Sequence, residues 1–300
     1  MPAKNFVHLH NHSEYSLLDG AIKFDELGQR LKELNMDSYA LTDHGNLFGV
    51  VKFIKAMKKY DIKPIIGCEM YITDDMNFKQ KGAKTYHLIV LVKNKKGYEN
   101  LVKMVSKSYI EGHYYKPRID KKLLESFSEG LVGMSACLQG EIPQAVLKDD
   151  IKHAKELINE YRKIFNGDFY LELHNHRIEE EIEVFPKIAE IGKEMNIPCI
   201  ATNDTHYLKE LDYKAHEALL CLQTGNTINV PRSQRLALSE NEFYLKDYNE
   251  MQKAFRDYPE ALENTKIIKE KCNYALEDEL DDNLHFPQYE VPGDYDLGEF

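Results

Sequence analysis

His10 and His12 stand two residues apart at the end of the apolar run FVHLH (6–10), and Asp204 and His206 repeat that spacing at the end of PCIATNDTH (198–206). On an extended segment residues i and i+2 project to one side, so each pair can offer two donors to one metal ion. Between them lie Asp19 in SLLDG, Asp43 and His44 in TDHGN, Glu69 inside IIGCEMYI, His87 at the start of YHLIVLV and Cys137 at the end of LVGMSAC. Singly, most have plainer readings: a packed strand histidine, a buried cysteine acting as a small apolar side chain, an Asp19 that caps a helix or turns with Gly20. Glu69 is different, because a carboxylate in so apolar a run is costly unless a cation or hydrogen bonds compensate it. Jointly, nitrogen, oxygen and one sulfur donor spread over separate strand ends suit two or three borderline divalent metals, with zinc, manganese or iron as choices, over magnesium or calcium alone.

Around these candidates, Asp43 could orient His44 or hold a nucleophile, and Arg118, Arg232 and Arg235 could grip a phosphate bidentately, although surface ion pairing is their plainer reading. Tyr114 and Tyr115 beside Lys116 could stack a base or pack under a loop. His8 shares the alternation of His10 and His12 and reads as a neighbour of the site. His174 and His176 repeat the HxH spacing with Glu172 on the same side, and packing is the reading adopted for them. His113, His153, His216 and His285 have no ligand-like neighbours and read as surface residues.

Donors so far apart in sequence need a scaffold that gathers strand ends. Seven apolar runs, at 6–10, 38–43, 63–72, 86–92, 131–137, 169–176 and 198–206, read as strands. Amphipathic stretches at 24–35, 48–60, 98–109, 151–165 and 184–196 read as the helices between them. That alternation implies parallel strands with crossover helices, an α/β fold. A closed or nearly closed seven-stranded barrel is expected, because polar residues cluster where strand after strand ends and a barrel rim brings such ends together. No glycine-rich fingerprint follows the first strand, which counts against a dinucleotide fold. A barrel over 1–210, a helical extension over 211–275 and an acidic linker over 276–300 are the expected divisions, with Asp281 and Asp282 as solvated linker charges.

Composition limits the partners. A net charge of −11 over 300 residues argues against a surface that grips nucleic acid everywhere, so any such contact is local. Five cysteines without a CxxC pair suggest neither a disulfide framework nor a zinc ribbon. The start MPAKNFVHLH has no leader pattern and no run approaches a membrane span, so a cytoplasmic location without membrane contact is expected.

In order and spacing, HLHNHSEYSLLDG, YALTDHGNLFG, IGCEMY, YHLIVL, SACLQGEI and ATNDTHYL resemble the polymerase-and-histidinol-phosphatase (PHP) domain that opens bacterial DNA polymerase III alpha subunits. YYKPRID (114–120) and LSENEFYLKDYNEM (238–251) resemble its polymerase-attached branch. The resemblance implies a distorted seven-stranded barrel and a three-metal site whose nine ligands are His10, His12, Asp19, His44, Glu69, His87, Cys137, Asp204 and His206. It further implies metal-dependent 3′→5′ exonuclease or other phosphoesterase activity on single-stranded DNA or a primer 3′ end. The remaining polymerase domains and replisome subunits would be partners, with polymerisation residing outside these 300 residues. A metal-binding scaffold without turnover and a phosphate monoesterase are the rival readings.

Overall fold

The structure, a computed structural model, describes residues 6–17, 19–236 and 241–276. Its centre is a curled sheet of seven strands: β1 (Ser38–Leu41), β2 (Lys63–Thr73), β3 (Tyr86–Val92), β4 (Arg118–Asp120), β5 (Leu131–Met134), β6 (Phe169–Leu173) and β7 (Cys199–Ala201). The order is β1-β2-β3-β5-β6-β7, with β4 paired to the far end of β2. Both faces are buried, which is why the strands read as unbroken apolar runs. In β3, Leu88, Val90 and Val92 join the outer core under the helices, whereas Ile89 and Leu91 turn to an inner cluster with Val7, Leu9, Ala40, Ile65 and Val132.

The helices are α1 (Phe24–Glu33), α2 (Val50–Lys59), α3 (Lys95–Ile110), α4 (Lys121–Ser126), α5 (Glu141–Leu147), α6 (Ile151–Ile164), α7 (Glu179–Met195), α8 (Tyr213–Thr224), α9 (Tyr248–Ala254) and α10 (Pro259–Lys271). In α1, Phe24, Leu27 and Leu31 form the buried stripe expected of helical spacing. Asn94, Asp120 and Asp150 start α3, α4 and α6 by accepting a hydrogen bond from an otherwise orphaned backbone N–H. α7 ends where Asn196 enters the left-handed region at φ 55°.

Three expectations change. Residues 6–10 are extended but form no strand; the segment instead bonds both edges of the sheet, Ala40 donating to the His8 carbonyl (3.0 Å) and Thr205 to that of His10 (3.2 Å). The sheet is not wholly parallel: β3 runs antiparallel to both β2 and β5. No helix joins β2 to β3, so residues 74–85 return the chain at the end where it left. β4, α4 and α5 are additional, too short for a periodic signal.

The expected helical extension is tied into the sheet. α10 lies across the rim where the parallel strands begin: Lys269 pairs with Asp37, Lys271 with Asp168, and the backbone N–H of Asn273 donates to the Lys93 carbonyl at 3.0 Å. Ile268 and Cys272 enter the inner cluster, and Thr265 accepts from the Val7 N–H at 3.1 Å. This helix therefore closes one end of the curl. Asp281, Asp282 and His285 lie outside the described residues.

Candidate metal centre

At the opposite rim the strand ends bring all nine candidates to one place. His10 and His12 leave the segment bonded to both sheet edges; His44 follows β1, Glu69 lies in β2, Cys137 follows β5, and Asp204 and His206 follow β7. His87 reaches this rim because β3 runs backwards: its second residue pairs with Tyr71, near the far end of β2.

Glu69 is the hub. Its Oε1 lies 2.8 Å from His87 Nδ1 and 3.3 Å from His10 Nε2. Its Oε2 lies 3.5 Å from His12 Nε2 and contacts His44 Nδ1. Asp204 Oδ1 lies 3.1 Å from His12 Nε2 and 3.3 Å from His10 Nε2, and Asp19 Oδ2 lies 3.1 Å from His44 Nε2. Cys137 Sγ is 3.8 Å from His87 Nδ1, and the ring of His12 stacks between those of His44 (4.1 Å) and His206 (4.4 Å).

Neighbouring groups fix which nitrogen faces inward. His10 Nδ1 donates to the Glu172 carboxylate (3.0 Å) and His206 Nδ1 to the Asp204 carbonyl (2.8 Å). Ser16 gives its only proton to Asp43 Oδ1 (2.7 Å), so it accepts from His12 Nδ1 (2.9 Å) and from the His44 backbone N–H (3.1 Å). In all three rings Nδ1 is taken by a neighbour and Nε2 is the nitrogen left to meet a cation. Glu172 is itself fixed, accepting from the Ala136 N–H (2.8 Å) and the Thr202 hydroxyl (2.7 Å).

The backbone is constrained where it presents these groups. Asp204 (φ 43°) and Ala136 (φ 61°) occupy the left-handed region away from any helix end, a conformation uncommon for a residue such as alanine. Gly20 follows Asp19 where a Cβ would fall 1.9 Å from the Ser13 carbonyl oxygen, so only glycine permits that turn.

Charge is concentrated to match. Burial opposes a charge on His44, but Glu69 and Asp19 outweigh it and raise the ring to about 10. His12, deeply buried beside His44 and His206, falls to about 3. Burial would raise Glu69, yet His87, His44 and His10 hold it well below the usual carboxylate range. His10 Nε2, His12 Nε2, His44 Nδ1, Asp19 Oδ1 and both Glu69 oxygens are buried without a geometrically sound hydrogen bond. Such converging orphans fit a bound cation, and among the described residues His12–His44–His206, His10–His12–Asp204 and His44–Glu69–His87 each hold donor atoms close enough to share one.

Other candidates are placed elsewhere. Arg118 is fully buried and donates to the carbonyls of Gly112, Phe78 and Met76 at 3.1–3.2 Å, so it clamps the 74–85 connection and grips no phosphate. Asp43, expected to orient His44 or hold a nucleophile, holds Ser16, which in turn accepts from His12 Nδ1 and from the His44 backbone N–H. Arg232 and Arg235 pair with Glu217 of α8. Tyr114 lies over the Arg118 guanidinium at 5.2 Å, and Tyr115 is 84% exposed. His8 turns away and donates to the Lys246 carbonyl at 2.9 Å. His174 contacts Glu172 and Thr202, and His176 spends both ring nitrogens on Glu181 and the Asn203 carbonyl.

His216 overturns its surface reading: it is buried on α8 and donates to the Asp19 carbonyl at 2.7 Å. Sequence reasoning also passed over Ser13 and Ser16, whose hydroxyls with the Ser13 N–H satisfy Asp43; their spacing after His12 was the available signal. A cavity of about 940 Å³ between α7 and α10 is lined by none of the nine, so size alone does not mark this site.

Together the curled α/β sheet and the carboxylate–histidine cluster at its rim define a protein of the divalent-metal-site class. The PHP domain family model matches residues 8–176, and the chain belongs to that family. DNA polymerase III subunit alpha of Borreliella burgdorferi is 45% identical over 305 residues, spanning 98% of this chain and 26% of that protein. The Helicobacter pylori (strain 26695) subunit is 45% identical over 295 residues, spanning 95% and 24%. The chain thus spans about a quarter of the length of the curated relatives it matches. An amidohydrolase structure from Chromobacterium violaceum aligns at a TM-score of 0.46 and 13% identity, over 67% of this chain and 87% of that one. Among the described residues no helix is long and apolar enough to cross a membrane.

Proposed function

We propose that the chain is a metal-dependent phosphodiesterase module, of the 3′→5′ exonuclease type, within a DNA polymerase III alpha chain. The observation that carries this reading is the convergence of buried, unpartnered donor atoms from His10, His12, Asp19, His44 and Glu69. His87, Cys137, Asp204 and His206 complete a nine-ligand set for two or three divalent ions, zinc by preference, with manganese or iron as alternatives. The curl of the sheet and the double-edged bonding of residues 8–12 support a closed, distorted barrel around it.

Bound there, the ions would supply Lewis-acid polarisation of the phosphodiester and of the attacking water. The protein's own share is positional. Glu172, Ser16 and the Asp204 carbonyl hold three imidazoles in one tautomer, and the buried flank formed by His10 and His12 excludes solvent. The side chains of Asp19, His44 and His87 are 16–20% exposed, leaving an open side on which a substrate could enter. A purely structural site is normally closed on all sides, so this opening favours catalysis over the scaffold reading. Single-stranded DNA or a primer 3′ end is the proposed substrate. The remaining polymerase domains and replisome subunits are proposed partners, and polymerisation is assigned to the part of the relatives that this chain does not match.

Elemental analysis by inductively coupled plasma mass spectrometry, paired with hydrolysis of a labelled oligonucleotide before and after chelation, tests the reading. Two or three ions per chain with chelator-sensitive cleavage is the expected result. A loaded but inert chain would favour the scaffold. Cleavage of a chromogenic monoester in preference to the oligonucleotide would favour the phosphatase.

A further inference from the structure

Beside the open side of the centre stand two exposed aromatic rings and a lysine that neither the core nor the cluster of donors uses, with the buried Tyr71 between that lysine and the donors. Phe48 follows His44 on a turn fixed by Asn46, whose amide donates to the carbonyls of Tyr15 and His44 (each 2.9 Å) and accepts from the Phe48 N–H (3.0 Å). Despite that rigid backbone its ring is 59% exposed, and it faces Tyr109 of α3, 39% exposed, at a centroid distance of 6.1 Å. A held turn that leaves a phenyl ring in water gains nothing for folding.

The rings are continuous with the centre. Gly45 (φ +60°) lies against Pro117 and Tyr71, packing the turn that carries Phe48 onto the segment that carries Lys116. Tyr71 stacks on His44 at 6.1 Å and meets His87 edge-on at 5.2 Å. Lys116 Nζ lies 5.1 Å from the centroid of the Tyr71 ring and donates to its hydroxyl at 3.4 Å. Among the described residues no carboxylate pairs with this ammonium. A cation one ring from the donors, on a rim that also carries exposed aromatic faces, offers the charge and flat surface that a nucleotide would meet. Aromatic faces and an ammonium without a carboxylate partner on one rim are complementary to a base and a phosphate.

We infer that the rim formed by Phe48, Tyr109, Tyr71 and Lys116 is a subsite for an unpaired nucleotide. The base stacks on the exposed faces of Phe48 and Tyr109, and Lys116 faces the adjoining phosphate. The inference rests on the phosphodiesterase reading for its direction, since it leads the strand toward the donors. Stacking on aromatic side chains is tolerant of base identity, so this subsite selects single strands over duplex without reading sequence.

The test is fluorescence anisotropy of the metal-loaded 300-residue chain with two labelled, hydrolysis-resistant phosphorothioate strands of equal length, oligothymidylate and an abasic strand of the same backbone. The unaltered chain should prefer the strand with bases by about tenfold, the size expected of one stacked base. In the double variant Phe48→Ala/Tyr109→Ala that preference should collapse toward unity, and Phe48→Trp should keep it. Lys116→Met should weaken both strands alike and flatten the salt dependence. A preference that survives the double variant, or its absence from the unaltered chain, overturns the subsite. Because binding is read without turnover, a chain that shows the preference yet cleaves nothing would refute the phosphodiesterase and leave the subsite standing.

Discussion

Ser16 has one hydroxyl proton and three polar neighbours, and the allocation of that proton sets the tautomer of His12. Removing the hydroxyl in Ser16→Ala leaves His12 Nδ1–H and the His44 backbone N–H without their acceptor, while Asp43 Oδ1 keeps the Ser13 N–H. Losing a group that orients a ligand imidazole typically costs about 10–100-fold in metal affinity. We expect that loss in a chelator-competition titration, with the folded chain retained. Asp19→Asn and His12→Asn act on the proposed ligands directly and should lower metal content and phosphodiester hydrolysis together; undiminished hydrolysis in a chain stripped of metal would sink the mechanism. Arg118→Met should do something different. It leaves two buried carbonyls and one part-buried carbonyl without their donor, costing about 1–3 kcal/mol of stability in urea unfolding, the size expected of unsatisfied buried acceptors. Candidate donors such as His10, His12, Glu69, Asp204 and His206 stood out by type and strand-end spacing, which are local properties. The set of nine came from the resemblance, since Asp19, His87 and Cys137 taken singly read as turn, core and apolar residues. The role of Arg118 was not legible, since burial against carbonyls from residues 76, 78 and 112 depends on a strand too short to announce itself.

Two elements decide what the donors see. β3 runs backwards, which places His87 at the metal rim although it begins its apolar run; in an all-parallel sheet the start of that strand would lie at the other end. Hydrophobic periodicity carries no strand direction, so the reversal could not be read from it. The second element is α8. Its His216 holds the loop of Asp19 by one hydrogen bond from a buried ring, and burial lowers that ring to about 4, keeping it neutral. His216→Leu keeps the apolar packing and deletes that bond. Weaker metal retention under dialysis is expected, with little change in melting temperature measured on the chelated chain. Equal metal retention would show that the Asp19 loop is held by Gly20 and Ser13 alone.

For the molecule as a whole, the two ends of the sheet have separate tasks: donors gather at one rim while α10 closes the other. Composition suggested a helical extension after residue 210, but not that it would seal the inner cluster, because an amphipathic helix does not name the surface it covers. A chain ending at residue 210 would expose the neighbours of Ile268 and Cys272 and leave the Val7 N–H unpaired. Loss of a cooperative thermal transition is the expected result, since burial of this kind is comparable with the roughly 5–15 kcal/mol that holds a domain together. The connection over residues 74–85 has a further meaning. It joins the strand of Glu69 to the strand that opens with His87, and Arg118 ties it down from below, so its length is independent of the sheet's register. Doubling a flexible loop costs only about 0.6 kcal/mol. Lysines 79, 81 and 84 lie exposed along it, which makes this connection an adjustable part. Lengthening or recharging it can change what reaches the centre while leaving every donor in place.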